Sequence, residues 1–425
     1  MTRAATPAAL HRTAPEINAK RLLRRLDEIA EIGRDPGGGI TRLGFSAADI
    51  AARSYFLGEA SAPNLNAWVD AGGNIIVRSE VESSSERTLL IGSHLDTVLN
   101  AGRLDGTYGV IAALEVIQTM AESGVGTELA VAAAAFANEE GALFPQPFWG
   151  SKVLAGKLSE LPSAPADYNG ASLHDALALA GGDLRALSSA AWPAGGIAAY
   201  LELHVEQGPV LERLGKPIGI VDGITGRTVL TLQITGASGH AGTTPMAGRR
   251  DALAAAARIV LAVESIAGEQ RLCRAGTVGW VAAKPNSPNT IAGTVQLVVD
   301  LRDTQAERLA NSEARLHHEL TEVAQATGVE IEVTAASRSA PASTDPALRA
   351  VIADSARELG LGYQLMPSGA GHDAQILATV APAGMIFVPS IGGVSHVPEE
   401  DTAPEDLISG ARVLLRAAMR VARAT

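Results

Sequence analysis

The segment Gly92-Ser93-His94-Leu95-Asp96-Thr97-Val98 is followed closely by Leu104-Asp105-Gly106. A histidine and an aspartate therefore stand at the end of the apolar run Thr88-Leu89-Leu90-Ile91. A second apolar run, 129–137, ends in Asn138-Glu139-Glu140-Gly141. Two strand-like runs that each finish in ligand-type residues are how an open α/β sheet builds a site at its strand ends. Histidine with carboxylates, and no cysteine nearby, suits zinc, manganese, cobalt or nickel.

The chain has 9 histidines. His94, His204, His240, His372 and His396 lie in glycine-rich, turn-like segments, and three of them sit beside carboxylates. That shared context points to one site, whereas His11, His174, His317 and His318 read as ordinary structural or surface residues. A hydrolytic two-metal site needs a carboxylate shared between cations about 3.5–4 Å apart. Asp105 is the candidate, with Gly102, Gly106 and Gly109 letting its loop turn sharply and bring backbone close. Asp96 falls two residues past His94, on the same side of an extended strand. It reads either as an acceptor for a ligating imidazole or as a loop cap. Glu139 and Glu140 suit a division of labour. If one ligates, its neighbour is free to act as general base, with burial raising its pKa.

The segment 236–246, Gly-Ala-Ser-Gly-His-Ala-Gly-Thr-Thr-Pro-Met, is too small and polar for a core strand. Its His240 is placed like a lid residue that completes a site on closure. Arg302 ends an apolar strand in Asp300-Leu301-Arg302-Asp303. It either grips a substrate carboxylate with two parallel hydrogen bonds or pairs with Asp300 or Asp303. No glycine cluster matches a phosphate loop, and no Gly-x-Ser-x-Gly elbow supports a serine hydrolase.

The elements that must hold these residues divide the chain. At 425 residues it exceeds one ordinary core, so two domains are expected. Helical periodicity covers 17–32, 47–59 and 108–122, and strand-like runs cover 74–77, 88–91 and 131–136. The segment 161–193 reads as helices and loops, and 201–209 as a strand end. From about 217 the pattern becomes strand 228–235, helix 250–264, strands 276–282 and 294–301, helix 306–327 and strand 329–333, a split βαβ layer. A linker at 340–346 leads to a helix at 347–359, a buried strand at 384–388 and a closing helix at 405–422. The expected division is a catalytic domain over 1–216 and 337–425 with an inserted smaller domain over 217–336.

Composition excludes some partners. A net charge of -12 argues against nucleic acid, which needs a basic face. No run approaches the ~20 apolar residues of a membrane helix, and residues 1–15 lack an apolar stretch of leader length. The single Cys273 forms no intramolecular disulfide and fits a reducing cytoplasm.

Taken together, these motifs resemble the hydantoinase/carbamoylase branch of the M20 metallopeptidase-like amidohydrolases. The resemblance runs from about Ile17 to the last helix. It rests on segments 92–98, 104–106, 138–141, 202–209 (Glu-Leu-His-Val-Glu-Gln-Gly-Pro), 239–246, 369–374 (Gly-Ala-Gly-His-Asp-Ala) and 395–399 (Ser-His-Val-Pro-Glu). Histidine at 204, where peptidases of the superfamily usually carry a carboxylate, marks the branch. The resemblance implies an α/β fold, a mixed sheet with helices on both faces, plus a smaller inserted α+β lid that also forms a homodimer. It implies two divalent cations bridged by Asp105, with His94 and His204 completing one subsite and Glu140 and His396 the other. Glu139 would be the general base, and His240 of the partner subunit would stabilise the tetrahedral intermediate. Gln207, Asn289 and Arg302 would bind substrate, Arg302 on its carboxylate. Gly371 would offer backbone contacts, and His372 and Asp373 would shape the same wall.

The chain departs from the family at Ile291-Ala292-Gly293, often Ile-Pro-Gly, which implies a looser turn after Asn289. The loop 144–151 carries extra aromatic bulk, a feature of allantoate-type enzymes. The expected reaction is hydrolysis of the ureido C–N bond of N-carbamoyl-L-amino acids to amino acid, ammonia and carbon dioxide. Allantoate amidohydrolase and β-ureidopropionase are the neighbouring alternatives, and a catalytically silent binding protein is the alternative of another class.

Overall fold

The computed structural model describes residues 14–81, 83–124, 126–158, 166–167 and 169–423. His11, most of the segment tested for a leader, and residues 161–165 of the expected helix-and-loop stretch lie outside them. The strands are β1 (Leu65–Val69), β2 (Ile75–Ser79), β3 (Thr88–His94), β4 (Ala130–Phe136), β5 (Ile197–Val205), β6 (Ile218–Ile224), β7 (Gly226–Thr235), β8 (Gly239–His240), β9 (Ala275–Lys284), β10 (Thr290–Ile291), β11 (Thr294–Asp303), β12 (Glu330–Ser339), β13 (Ala342–Ser343), β14 (Tyr363–Ser368) and β15 (Ala383–Val388).

The chain forms two compact units. One contains the chain through Ile220, Asp345–Gln364 and everything from Ile376 onward; the other contains Val221–Thr344 and Leu365–Gln375. The second unit is thus shifted from the expected 217–336 and gains a separate segment. Ile218 and Ile220 join the first unit's core, and Ile220 pairs with Ile386 of β15. Arg338 and Ser339 continue the β12 ladder. Leu365–Gln375 is tied to the second unit by Thr225 N–H to Ser368 O (3.1 Å) and Gln375 Nε2 to Ala340 O (2.5 Å).

The first unit's sheet runs in the order β1-β2-β4-β3-β5-β15-β6. The four central strands β4, β3, β5 and β15 are mutually parallel, and the outer pairings are antiparallel. Every residue of β3 and of β4 is buried, so both faces of the sheet are covered, as continuous apolar runs require. The helix Thr107–Ser123 is buried from Thr107 through Ala121, which is why its sequence is apolar on all sides. The closing helix Pro404–Arg423 packs against it, with the Tyr108 hydroxyl donating to Leu407 O at 2.7 Å. Among the described residues, no helix is long and apolar enough to cross a membrane.

The second unit is a four-stranded antiparallel sheet of order β12-β7-β11-β9 with helices Ala252–Ala267 and Ala306–Thr327 on one face. Alternation in β7 and β11 buries Leu230, Leu232 and Ile234 and Val295, Leu297, Val299 and Leu301 against those helices. This is the split βαβ arrangement read from periodicity.

The first helix is shorter than its periodicity. It spans Ala19–Ile29 and starts where the Asn18 side chain accepts the Arg21 N–H. Of the expected strand end at 201–209, residues 201–205 are the last part of the longer β5 and 206–209 follow it as a loop. Of the three glycines expected to shape the Asp105 loop, Gly109 acts differently: it lies inside the helix. A Cβ there would stand 2.3 Å from Leu203 O and 2.8 Å from Ser93 Cβ, so only glycine lets this helix lie directly on the sheet. Gly109→Ala is expected to cost about 1–3 kcal/mol through overpacking. A thermal melt should show a clearly lowered transition, and an unchanged one would refute this account of the helix–sheet contact.

Candidate metal centre

The parallel strands deliver their carboxyl ends to one place. His94 is the last residue of β3, and Asp96 and Asp105 follow it. Glu139 and Glu140 follow β4, His204 and Gln207 come from the end of β5, and His396 follows β15. All belong to the first unit.

Asp105 stands at their centre, 3% exposed. Its Oδ1 lies 3.1 Å from His204 Nε2 and 3.6 Å from His94 Nε2, and its Oδ2 lies 3.2 Å from His396 Nε2. His396 Nε2 is also 3.5 Å from Glu140 Oε1, and His94 Nε2 is 3.8 Å from Glu139 Oε2. Donor atoms of His94, Asp105 and His204 lie within 4.8 Å of one another, and so do those of Asp105, Glu140 and His396. Asp105 is common to both groups and presents a different oxygen to each.

The ring orientations are fixed from behind. His94 Nδ1 is 2.9 Å from the Asp96 carbonyl oxygen and His204 Nδ1 is 2.9 Å from the Val205 carbonyl oxygen. A carbonyl only accepts, so each Nδ1 carries the proton and each Nε2 is left as a donor atom for a cation. Gly106 has φ 64°, and a Cβ there would fall 2.3 Å from His94 Cε1. The turn after Asp105 therefore admits only glycine.

Of its two sequence readings, Asp96 takes the loop cap rather than acceptance from the imidazole. Its carboxylate is 3.9 Å from His94 Nδ1, beyond hydrogen-bond distance. Instead Oδ1 accepts the Glu139 N–H and Oδ2 the Glu140 N–H, each at 3.1 Å. Asp96 thus fixes the turn that carries both glutamates.

Charge in this cluster is strongly coupled. Burial, and then the Asp105 charge, push Glu140 up to about 8. Asp105 itself is held well below the ordinary carboxylate range: burial opposes this, but hydrogen bonds from His204 and His396 outweigh it. His204 rises to about 9, burial notwithstanding, because of the Asp105 hydrogen bond, and His396 rises to about 9 through the same carboxylate. Burial lowers His94 and raises Asp96 to about 6. Without a cation, protons on His204 and His396 neutralise the buried Asp105. Divalent cations can take that role, because the three imidazoles and the carboxylates are oxygen and nitrogen donors of the type such ions prefer. The residues fit divalent metal.

Gln207 adopts φ 58° beside this cluster. Its Nε2 donates to Asp105 Oδ2 at 2.8 Å, which settles the amide orientation because a carboxylate only accepts. Gln207 Oε1 is buried and has no hydrogen-bond partner among the described residues.

The remaining sequence candidates lie in the second unit. His240 is exposed, and its Nδ1 accepts the N–H groups of Gly242 (3.0 Å) and Thr243 (3.2 Å). Its proton is therefore on Nε2, available for donation. β8 pairs with β10, setting Thr290 opposite His240, and Ala241 N–H donates to Asn289 O at 2.9 Å. The turn after Asn289 is not loose despite lacking proline: Ala292 O, Gly293 O and Gly293 N are all engaged in backbone hydrogen bonds. Arg302 takes the local pairing of its two sequence readings. It makes Nε–Oδ1 (3.2 Å) and Nη2–Oδ2 (3.0 Å) contacts with Asp300, and its Nη1 donates to Gly369 O at 2.8 Å. Arg227 also binds Asp300, at 2.7 Å, so two guanidinium groups share one carboxylate. Gly371 is half-buried just before the short helix Asp373–Leu377. His372 is buried, with its Nε2 2.8 Å from Ser368 Oγ, and Asp373 is buried next to it. Both histidine and glycine fall in the second unit rather than in the expected catalytic domain.

Sequence reasoning passed over Glu400, Ser395, Ser390 and Arg42. Arg42 is fully buried; its Nε donates to Leu95 O (2.7 Å) and its Nη2 to Thr107 Oγ1 (2.6 Å), clamping the loop between His94 and Asp105. A lone arginine 52 positions before the first ligand carries no local spacing that would reveal this.

The sequence of this chain matches the description Peptidase family M20/M25/M40 over residues 90–420. The chain belongs to this family. It is 39% identical over 407 residues to the N-carbamoyl-L-amino acid amidohydrolase of Geobacillus stearothermophilus, covering 96% of this chain and 99% of that one. It is 35% identical to the allantoate amidohydrolase of Bacillus subtilis, covering 92% and 94%. The crystal structure of a hydantoinase/carbamoylase family amidase from Burkholderia multivorans superposes with a TM-score of 0.88 at 34% identity, covering 96% and 99%. The family member described here is an amide-hydrolysing enzyme of the hydantoinase/carbamoylase branch.

The double acceptance by Asp96 yields a test. An asparagine there presents one acceptor and one N–H₂, so one glutamate N–H loses its partner. Asp96→Asn is expected to lower metal affinity or kcat by roughly 10–100-fold, as loss of support behind a metal site does. Metal content and turnover, measured on the same preparation, check this.

Proposed function

We propose that the protein hydrolyses the ureido C–N bond of N-carbamoyl-L-amino acids, using two divalent cations that share Asp105. The observation that carries this reading is Gln207. Its carbonyl oxygen is buried and unpaired beside Asp105, an acceptor suited to the N–H groups of a ureido substrate. Similarity to the Geobacillus stearothermophilus enzyme supports the same substrate class.

In this reading His94, His204 and Asp105 would hold one cation, and Asp105, Glu140 and His396 would hold the other. Bound cations supply Lewis-acid polarisation of the ureido carbonyl and of water. Glu139, not needed as a ligand, takes the proton of the attacking water and returns it to the leaving nitrogen. His240 donates from Nε2 to the oxyanion that develops on the ureido carbon. Arg302 and Asn289 bind the substrate, Arg302 through N–H groups not used by Asp300 and Gly369. Gly371 and His372 are assigned to substrate binding as well. The C–N bond breaks with loss of ammonia, and the carbamate loses carbon dioxide to leave the free amino acid.

A homodimer is part of the proposal, with His240 of the partner subunit serving the site. Support comes from an apolar strip on the helix Ala252–Ala267, where Leu253, Val260 and Leu261 are exposed. The adjoining edge strand β9 exposes Trp280 and Val281.

The 35% identity to an allantoate amidohydrolase favours allantoate as the second substrate to test. Ammonia release should be measured on N-carbamoyl-L-amino acids, N-carbamoyl-β-alanine and allantoate, with and without EDTA. We expect EDTA-sensitive turnover of N-carbamoyl-L-amino acids. Faster turnover of allantoate would replace that assignment, and silence on the whole panel with metal bound would remove it in favour of acylated substrates or a binding role. Glu139→Gln should lower kcat by about 10²–10⁴-fold while leaving metal content and folding intact. Arg302→Ala should raise KM for the carboxylate-bearing substrate by roughly 10–100-fold, the loss expected for charge-assisted hydrogen bonds.

A further inference from the structure

Glu400 is 2% exposed and lies on the loop after His396. Its Oε1 accepts two backbone N–H groups, from Leu104 at 3.1 Å and from Asp105 at 2.9 Å. Its Oε2 is 2.5 Å from Ser395 Oγ, which in turn is 3.0 Å from Asp105 Oδ2. One carboxylate therefore touches the backbone of Asp105 and, through a hydroxyl, the side chain of Asp105. It also fixes the residue immediately before His396, which adopts φ 61°.

The surrounding chain is shaped to admit this side chain. A Cβ at Gly102 would lie 2.3 Å from Glu400 Cβ and 2.5 Å from its Oε1. The next residues reinforce the join: Arg103 donates to Asp401 Oδ1 from Nη2 at 2.9 Å and from Nε at 3.2 Å. The loop after β3 and the loop after β15 are thus tied at consecutive positions, 103–105 to 400–401. Those loops carry the shared carboxylate and one of its imidazoles.

We propose that Glu400 is a positioning residue of the metal centre. It sets Asp105 and His396 together, so that both cation subsites form or fail as one. This rests on the reading in which Asp105 is shared between two cations. Removing the carboxylate leaves two buried N–H groups unpaired and frees Ser395 from one of its two anchors. Asp105 would then be free to tilt toward either group of ligands but not to serve both. Placement, rather than negative charge, is what Glu400 contributes. Glutamine at this position keeps one oxygen for the two N–H groups and gives Ser395 Oγ a donor, leaving the serine proton for Asp105.

The test is cation titration of the metal-free full-length protein with Mn²⁺ by calorimetry, and with Co²⁺ followed by visible absorption. Wild type is expected to bind two equivalents. Glu400→Ala should weaken both equivalents together, by roughly 10–100-fold, and alter the Co²⁺ spectrum. Glu400→Gln should return both to within a few-fold of wild type. Gly102→Ala drives a methyl into the Glu400 side chain without removing the acid. It should reproduce the joint loss, and it serves if Glu400→Ala does not fold by circular dichroism. Wild-type affinity in Glu400→Ala, weakening of only one equivalent, or failure of Glu400→Gln to recover would each overturn the proposal. A single equivalent in wild type would instead overturn the shared-carboxylate reading beneath it.

Discussion

A single buried carboxylate, Asp105, sets the terms for the rest of the first unit. It lies at the carboxyl ends of four parallel strands, and each strand contributes at least one group near it. Two like charges about 4 Å apart repel by about 4 kcal/mol at the effective dielectric of a protein surface. Asp105, Glu139 and Glu400 are buried and Glu140 is half-buried, so solvent screens these carboxylates little. Burial first, and then the Asp105 charge, push Glu140 and Glu400 above the ordinary carboxylate range. Such a crowd is stable only with compensating positive charge, and cations provide it more compactly than protonated imidazoles do.

Maintaining the arrangement demands backbone geometry that most sequences avoid. Asn138, Gln207 and His396 all have positive φ, near 49°, 58° and 61°. Each such residue costs about 1–3 kcal/mol unless its surroundings determine it. Here the surroundings do. Gln207 N–H donates to Ser390 Oγ at 3.0 Å, and Asn138 Nδ2 donates to Phe144 O at 3.1 Å and Gln146 O at 3.2 Å. Gly44 adds a steric limit, since a Cβ there would lie 2.8 Å from Asn138 Cα. The packing of the sheet and its loops, with about 10² kcal/mol of opposing terms behind it, absorbs these local costs.

What could be read from the sequence follows from how local each determinant is. His94, Asp105, Glu139, Glu140, His204 and His396, which the fold brings together, are legible as candidates because each sits at the end of an apolar run or in a short glycine-rich motif. The strands β2, β3, β4, β5, β7, β9, β11, β12 and β15 are legible for the same reason, through uninterrupted or alternating apolar residues, whereas β1, β6 and β14 are not. Glu400 was missed because its partners, the N–H groups of Leu104 and Asp105, are nearly three hundred residues away in sequence. Strand alternation left Asp96 open between the imidazole and a loop cap. A backbone carbonyl was closer, and its carboxylate turned to the next loop. Arg302 could not be resolved because its rival partner Asp300 is on the same strand face, two residues away. The segment 365–375 shows no change of composition where it joins the second unit. Its allegiance is fixed by long-range hydrogen bonds that leave no periodic trace.

The same placement explains why two adjacent glutamates can serve different purposes. Asp96 receives both of their N–H groups on separate oxygens, so the turn cannot rotate to exchange them. Glu140 is thereby set 3.5 Å from His396 and Glu139 3.8 Å from His94. Glu139 O also accepts the Phe148 N–H at 2.7 Å, which holds the following loop against the turn. A ligand must stay with its cation, while a base must release and regain a proton at a fixed distance from the reacting atom. A rigid turn that separates the two carboxylates meets both needs without any difference in residue type. In the proposed reading, the difference between ligand and base therefore resides in the backbone that Asp96 holds.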